Sequence, residues 1–325
     1  MIDKINSLKK QILNGNLITY EEALDLINIE INDEKSLNEL FKAANEIRKK
    51  FMGSKADLCT IMNAKSGKCS EDCRFCAQSG HYNTGVEEYS LLSYKDILKR
   101  AKEMEEKGVH RFSLVTSGRG VKGEEFDKVV DIYRRLHKDT NLSLCASLGI
   151  IDYQQAKKLK EAGVEMYHHN VETSKDNYKN ICTTHTYEDR IQTIKNVQKS
   201  GMELCVGGIL GLDESKEQRL KMAFEIRELN IKSIPLNILN PIKNTPMENC
   251  KKLEPLEILK TMAVYRFVNP SAYIRYAGGR MSLKGYEELG FNGGVNSALV
   301  GDYLTTIGSN IQDDKQMIIC QDFEI

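Results

Sequence analysis

Three thiols within eight residues are the first chemistry visible in this chain. The segment M-N-A-K-S-G-K-C-S-E-D-C-R-F-C-A-Q-S-G (62–80) sets Cys69, Cys73 and Cys76 in a C-x3-C-x2-C arrangement. Structural zinc takes four ligands, commonly from two separated pairs, and no second C-x2-C or histidine pair follows at that spacing. Three cysteines on one loop suit a cubic [4Fe–4S] cluster that leaves its fourth iron open. An open iron points to substrate or cofactor chemistry at the metal. An electron carrier and a zinc-stabilised binding module are the readings from other classes, and both match the spacing poorly. His168 and His169 invite a metal reading too, but neighbours on a strand point to opposite faces and cannot both face one ion.

Elements that could position such a loop alternate along the chain. The apolar spacing predicts helices over Ile5–Leu13, Tyr20–Ile27 and Glu34–Phe51, the last with Leu37, Leu40, Phe41, Ala44 and Ile47 on one face. Strand-like runs then follow at Asp57–Met62, His110–Thr116, Leu142–Ala146, Val164–Asn170, Met202–Ile209, Lys232–Ile238, Ala272–Ala277 and Gly294–Ser297. Several intervening helices end on a glycine followed by an apolar residue, at Gly108-Val109, Gly163-Val164 and Gly201-Met202. Eight such units predict an α/β fold of the (β/α)8 TIM-barrel type, with its active site at the C-terminal ends of the strands. An open doubly wound sheet is the alternative. The expected division is a helical N-terminal extension (1–53), the barrel (54–306) and a C-terminal tail (307–325).

Composition narrows the function further. Lys and Arg number 46 against 46 Asp and Glu, so no broad basic face is expected and nucleic acid is an unsuitable partner. The apolar run Cys205–Leu212 is eight residues long, far short of the roughly 18 needed to span a bilayer. The charge-broken N-terminus lacks the apolar core of a secretory signal, so a cytoplasmic location is expected. In a reducing compartment nine cysteines are more readily metal-bound, reactive or buried than paired as disulfides.

The cysteine motif, with the aromatic Phe75 before its last member, resembles the radical S-adenosylmethionine superfamily. Further segments extend the likeness: Y-H-H-N-V-E-T-S (167–174), T-T-H-T-Y-E-D-R (183–190), C-V-G-G-I-L-G-L-D-E (205–214), P-L-N-I-L (235–239), Y-I-R-Y-A-G-G-R (273–280) and G-V-N-S-A-L-V-G-D-Y-L-T-T (294–306). Together, in order and spacing, they resemble the biotin synthase family. The radical enzymes nearest to it, of the [FeFe]-hydrogenase maturase and methylornithine synthase type, lack the combination of Cys145, Cys205 and Arg275 with L-T-T at 304–306.

The resemblance implies a sulfurtransferase that inserts sulfur into dethiobiotin, through a 5′-deoxyadenosyl radical and an auxiliary iron–sulfur cluster as sulfur donor. It implies that Cys69, Cys73 and Cys76 hold the [4Fe–4S] cluster. Asn170, Glu172, Arg190 and the run Gly207-Gly208-Ile209 would contact S-adenosylmethionine. Asn170 and Asn237 would hold the ureido ring of dethiobiotin, since an amide matches its donors and acceptor. A flavodoxin or ferredoxin-type reductant and a homodimer are implied as well.

One family position departs. The auxiliary cluster is ordinarily held by three cysteines and an arginine; Cys145, Cys205 and Arg275 match, but the expected fourth residue is Ser113, a weak iron ligand. The reading is therefore a variant in which Cys59, Cys145 and Cys205 ligate the auxiliary cluster beside Arg275, Cys59 sharing its strand parity with Asp57 and Ile61. The family's [2Fe–2S] cluster and a four-iron cluster with an extra sulfide both remain open for it. Cys182 and Cys250 read as structural, and Cys320 as a tail residue able to fold over the barrel mouth.

Overall fold

The chain opens with three helices, α1 (Ile2–Leu13), α2 (Tyr20–Ile27) and α3 (Glu34–Met52), in a computed structural model that describes residues 1–301 and 309–325. The Leu304–Thr306 part of the sequence resemblance lies outside the described residues. Helix α2 starts on a capping box, in which Thr19 Oγ1 accepts from the Glu22 amide and the Glu22 carboxylate accepts from the Thr19 amide. Leu37, Leu40, Phe41, Ala44 and Ile47 of α3 are all buried, facing α1 and α9 (Pro255–Val268). Helix α9 is buried on nearly every side. That fits its position between the N-terminal helices and the sheet, and explains its lack of a polar face.

The sheet is built from β1 (Asp57–Lys65), β2 (Arg111–Thr116), β3 (Ser143–Ser147), β4 (Val164–His168), β5 (Glu203–Cys205), β6 (Gly208–Leu210), β7 (Ser233–Ile238), β8 (Tyr273–Tyr276) and β9 (Ser297–Leu299). Its order is β5-β4-β3-β2-β1-β9-β8-β7-β6, and a β5–β7 pairing joins the ends. Because β5 and β6 are two pieces of one stave, this is a closed parallel barrel of eight, and the open sheet is excluded. Around it run α4 (Tyr94–Glu106), α5 (Gly123–Asp139), α6 (Tyr153–Glu161), α7 (Tyr187–Ser200), α8 (Lys216–Glu228), α9, the short α10 (Glu287–Phe291) and α11 (Ile311–Ile319). Gly108, Gly163 and Gly201 all take positive φ where the helices stop.

Several strand bounds shift from the sequence expectation, β1 running on to Lys65 and β4 stopping at His168, and two departures have a visible cause. The continuous strand over 202–209 breaks at Val206-Gly207, because the facing Pro235 of β7 has no N–H to give the ladder. There the chains close in: a Cβ on Gly207 would lie 1.8 Å from the Pro235 carbonyl oxygen. The last strand starts at Ser297 rather than Gly294, since the Asn296 side chain takes the Ile274 amide at 2.9 Å in place of a backbone carbonyl.

After β9, helix α11 descends the outside of the barrel, and the Glu324 carbonyl receives the Ala56 amide at 2.7 Å just before β1. Cys320 is exposed at that N-terminal end of the barrel, so it does not fold over the mouth. The tail's backbone pairing with the start of β1 fixes this.

Candidate active site

Strand alternation sends Cys59 and Ile61 of β1, Arg111, Ser113 and Val115 of β2, Cys145 of β3, Met166 and His168 of β4, Cys205 of β5 and Arg275 of β8 into one lumen of about 370 Å³. His169, the neighbour of His168, is instead buried beside Tyr167. The two imidazoles thus diverge, and burial lowers the His168 pKa to about 4.

The loop after β1 is tied down by its own backbone. Cys69 donates to the Gln78 carbonyl at 3.0 Å and accepts from Gly80 at 2.8 Å, while the Cys76 amide reaches the Cys73 carbonyl at 3.0 Å. This turn presents Cys69 and Cys76 at the cavity mouth with Phe75. Burial pushes the Cys76 thiol up to about 11 and raises that of Cys69 as well.

Cys73 behaves differently. Its Sγ lies 3.8 Å from the Sγ of Cys182, a residue expected from its isolation in the sequence to be structural. Cys182 Sγ is in turn 3.2 Å from His185 Nδ1, and that nitrogen is 2.5 Å from the Glu71 carboxylate. Asp72 fixes the segment by accepting the amides of Thr183 and Thr184 at 2.9 and 3.2 Å. The hydrogen bond from Cys73, aided by His185 against burial, holds the Cys182 thiol down at about 4; the same bond and burial drive the Cys73 thiol up. Among the described residues, the group of three metal-ligating side chains whose ligand atoms all lie within 4.8 Å of one another is Cys73, Cys182 and His185.

That grouping corrects the expectation of a variant defined by Ser113. The ligand set that the fold draws together sits on the mouth loops, with Ser113 no part of it. Ser113 lies on β2 level with Cys145, its Oγ buried, facing the lumen and without a hydrogen-bond partner.

The polar wall is assembled from β4, α7 and the β5–β6 break. Arg190 on α7 donates to the Asn170 carbonyl at 2.9 Å and to Tyr178 Oη at 2.5 Å, and lies 3.4 Å from the Glu172 carboxylate. Glu172 adopts φ +65°, a strained value for a residue with a Cβ. Its carbonyl accepts from Ile209 at 2.8 Å. A Cβ on Gly208 would approach that carbonyl oxygen to 2.5 Å, so this glycine is required by backbone packing. Of the glycine run, only Ile209 reaches the cavity wall. Asn170 Oδ1 takes the Gly207 amide at 3.1 Å; Asn237 donates to the Gly208 carbonyl at 3.1 Å and accepts from the Gly278 amide at 2.9 Å. Each of these amides keeps one N–H and one lone pair for a ligand.

At the floor, Arg275 is buried and donates to Cys59 Sγ at 3.1 Å, to the Asp57 carbonyl at 3.1 Å and to the Asp57 carboxylate. Arg111 Nε holds the other Asp57 oxygen at 3.0 Å. Ser233 Oγ donates to Cys205 Sγ at 3.3 Å, and Cys205 packs with Cys145 and Met166. Burial pushes Cys59 up to about 11 despite the Arg275 charge, and raises Cys145 and Cys205 too. Cys250 lies outside this lumen, 3.4 Å from the Asp213 carboxylate. The unpartnered Ser113 and Thr116 hydroxyls and Arg275 Nε, all on the cavity wall, are what a lumen built to enclose polar groups and a cluster would leave open.

The radical SAM superfamily profile matches residues 64–226, and the profile described as the Biotin and Thiamin Synthesis associated domain matches 235–324. A biotin synthase of Clostridioides difficile (strain 630) is 69% identical over 321 residues, covering 99% of each chain. The chain belongs to the biotin synthase family. A second biotin synthase, of Acetivibrio thermocellus, is 56% identical across 100% of both chains. Two solved structures share the fold at 18% identity: methylornithine synthase, with TM-score 0.85 over 98% of this chain and 96% of that one, and a maturase of the [FeFe]-hydrogenase, with TM-score 0.83 over 99% and 75%. The activity is the sulfur-inserting, radical S-adenosylmethionine-dependent synthesis of biotin, and iron–sulfur chemistry with S-adenosylmethionine is its cofactor class. No helix among the described residues is long and apolar enough to cross a membrane.

Proposed function

We propose that the barrel lumen is the reaction chamber in which dethiobiotin becomes biotin, with Cys69, Cys73 and Cys76 holding the [4Fe–4S] cluster at the mouth and Cys59, Cys145 and Cys205 holding the auxiliary cluster beside Arg275 at the floor. The observation that carries this reading is that one continuous cavity, open at its mouth, is lined at one end by Cys69 and Cys76 and at the other by Cys59, Cys145, Cys205 and Arg275. When bound, the mouth cluster and S-adenosylmethionine supply the 5′-deoxyadenosyl radical, and the auxiliary cluster supplies sulfur.

The chain's own groups orient and shield. Arg190, already braced by Asn170, Tyr178 and Glu172, offers a planar cation for the methionyl carboxylate, and Glu172 an acceptor for ribose hydroxyls. The spare N–H and lone pair of Asn170 and of Asn237 fit the ureido edge of dethiobiotin, which needs both a donor and acceptors. Ile61, Val115, Met166, Ile209 and Leu299 form apolar wall that keeps water from a carbon-centred radical. Arg275 places a fixed positive charge beside Cys59, favouring the thiolate that iron requires. The auxiliary cluster is of the [2Fe–2S] type or a four-iron type with an extra sulfide, a flavodoxin or ferredoxin-type protein supplies the electron, and the working enzyme is a homodimer in the cytoplasm.

Anaerobic reconstitution followed by Mössbauer spectroscopy and a dethiobiotin turnover assay tests the reading. Two cluster signals are expected, the floor signal vanishing in Cys59→Ser with loss of biotin but with S-adenosylmethionine cleavage retained. Full iron content and biotin yield in Cys59→Ser would refute it.

A further inference from the structure

The Cys73, Cys182 and His185 group has the dimensions of a mononuclear metal site rather than of part of an iron–sulfur cube. Two thiolates bound to one tetrahedral zinc at about 2.3 Å each lie about 3.8 Å apart, and a thiolate and an imidazole nitrogen about 3.6 Å. Cys73 Sγ and Cys182 Sγ are 3.8 Å apart, and Cys182 Sγ is 3.2 and 3.9 Å from the two ring nitrogens of His185. Thiolates on a cube sit on different irons and are held farther apart.

Glu71 supplies the supporting partner such a site needs. Its carboxylate, 2.5 Å from His185 Nδ1, takes that N–H and leaves Nε2 with its lone pair, the arrangement by which carboxylates orient metal-binding histidines. Glu71 is itself held by Thr184 Oγ1 at 2.9 Å. Cys182 and His185 are buried, so two of the three ligands are already desolvated and positioned before any ion arrives.

We propose that Cys73, Cys182 and His185 form a site for one divalent ion of the zinc type when the chain lacks its mouth cluster, and that this ion competes with the cluster for Cys73. The competition rests on Cys73 being a cluster ligand; the mononuclear site itself does not. Occupied, the site ties the 69–76 loop to the segment between β4 and α7 and withholds one thiolate from iron.

Full-length protein, stripped of iron by chelation and kept reduced, is titrated with cobalt(II) and then zinc(II). About one cobalt per chain is expected to bind with the visible bands of tetrahedral coordination and with thiolate charge-transfer absorption, and zinc should displace it. Cys182→Ser and His185→Ala should each weaken binding at least about tenfold, while Cys69→Ser and Cys76→Ser leave it unchanged. Undiminished bands in Cys182→Ser, or their loss in Cys69→Ser or Cys76→Ser, overturn the site. X-ray absorption at the zinc edge on the unsubstituted chain needs no variant: two sulfurs with one imidazole support the assignment, and three or more sulfurs, or none, refute it. Zinc-loaded chain should also regain [4Fe–4S] absorption several-fold more slowly than zinc-free chain, a difference that Cys182→Ser removes; equal rates in the unsubstituted chain refute the competition.

Discussion

Replacing Arg275 by methionine would remove the charge at the barrel floor while keeping much of the volume. Arg275 is 2% exposed and its guanidinium anchors the Asp57 carboxylate, which also keeps Arg111 at 3.0 Å. Deleting one member of a buried ion pair costs about 3–5 kcal/mol. Since Arg111 remains on Asp57, the expected loss is at the lower end, about 3 kcal/mol at neutral pH. At about 2.1 cal/mol/K of unfolding entropy per residue, a chain of 325 residues shifts by about 1.5 °C per kcal/mol, so the melting temperature should fall by about 4–5 °C. Asp57→Asn combined with Arg275→Met should recover at least about 1 kcal/mol relative to additivity, because the stranded carboxylate is then gone.

The pH dependence of that loss carries a sign. Burial pushes the Asp57 carboxyl up, but Arg275 and then Arg111 more than offset it and hold it below the usual range. In the unsubstituted chain this depressed pKa contributes stability that is present above the unfolded value of about 3.9 and is lost as pH falls through the folded value. Without Arg275 the folded pKa rises, so that contribution shrinks or reverses. The stability gap between the two chains should therefore narrow as pH is lowered from 7 toward 4. Urea unfolding followed by circular dichroism on iron-free protein reads it directly. A gap that stays constant or widens on acidification, or an additive double variant, refutes the assignment of Arg275 as the main counter-charge of Asp57.

Three further outcomes follow from the site. Gly207→Ala should destabilise by at least about 1–3 kcal/mol, because its Cβ would meet the Pro235 oxygen at 1.8 Å; an unchanged melting temperature would show that β7 can yield. Glu172→Gln and Arg190→Lys should weaken S-adenosylmethionine binding about tenfold or more in equilibrium dialysis with iron content unchanged, and loss of iron instead would make them structural. Asn237→Ala leaves the Gly208 carbonyl and Gly278 amide without their partner, at about 1–3 kcal/mol each, and should raise the KM for dethiobiotin while S-adenosylmethionine affinity holds; equal KM values would remove Asn237 from substrate binding.

What the sequence determined by itself was local and periodic. The C-x3-C-x2-C loop is legible because its members are close along the chain and its short backbone turns bring Cys69 and Cys76 to one cavity edge. The βα repeat is legible because alternation, helical spacing and glycine stops each act within a few residues. The inward parity of Cys59 followed from strand alternation, as did the divergence of His168 from His169, whereas Cys145, Cys205 and Arg275 were expected there from the family resemblance.

What only the tertiary structure decided depends on contacts across the closed barrel. Cys73 and Cys182 stand 109 residues apart and meet because two loops at the C-terminal face converge. The signal that could have raised Cys182 was local, a cysteine three residues before His185, but its meaning needed Glu71 and Cys73 from the other loop. The break in the fifth stave needed Pro235 on a neighbouring strand, and the placing of Cys320 needed the tail to pair beside β1. Each of these is set by a partner that chain order does not bring near. Spacing along the sequence fixes which side chains a segment offers; closure of the sheet fixes which of them meet.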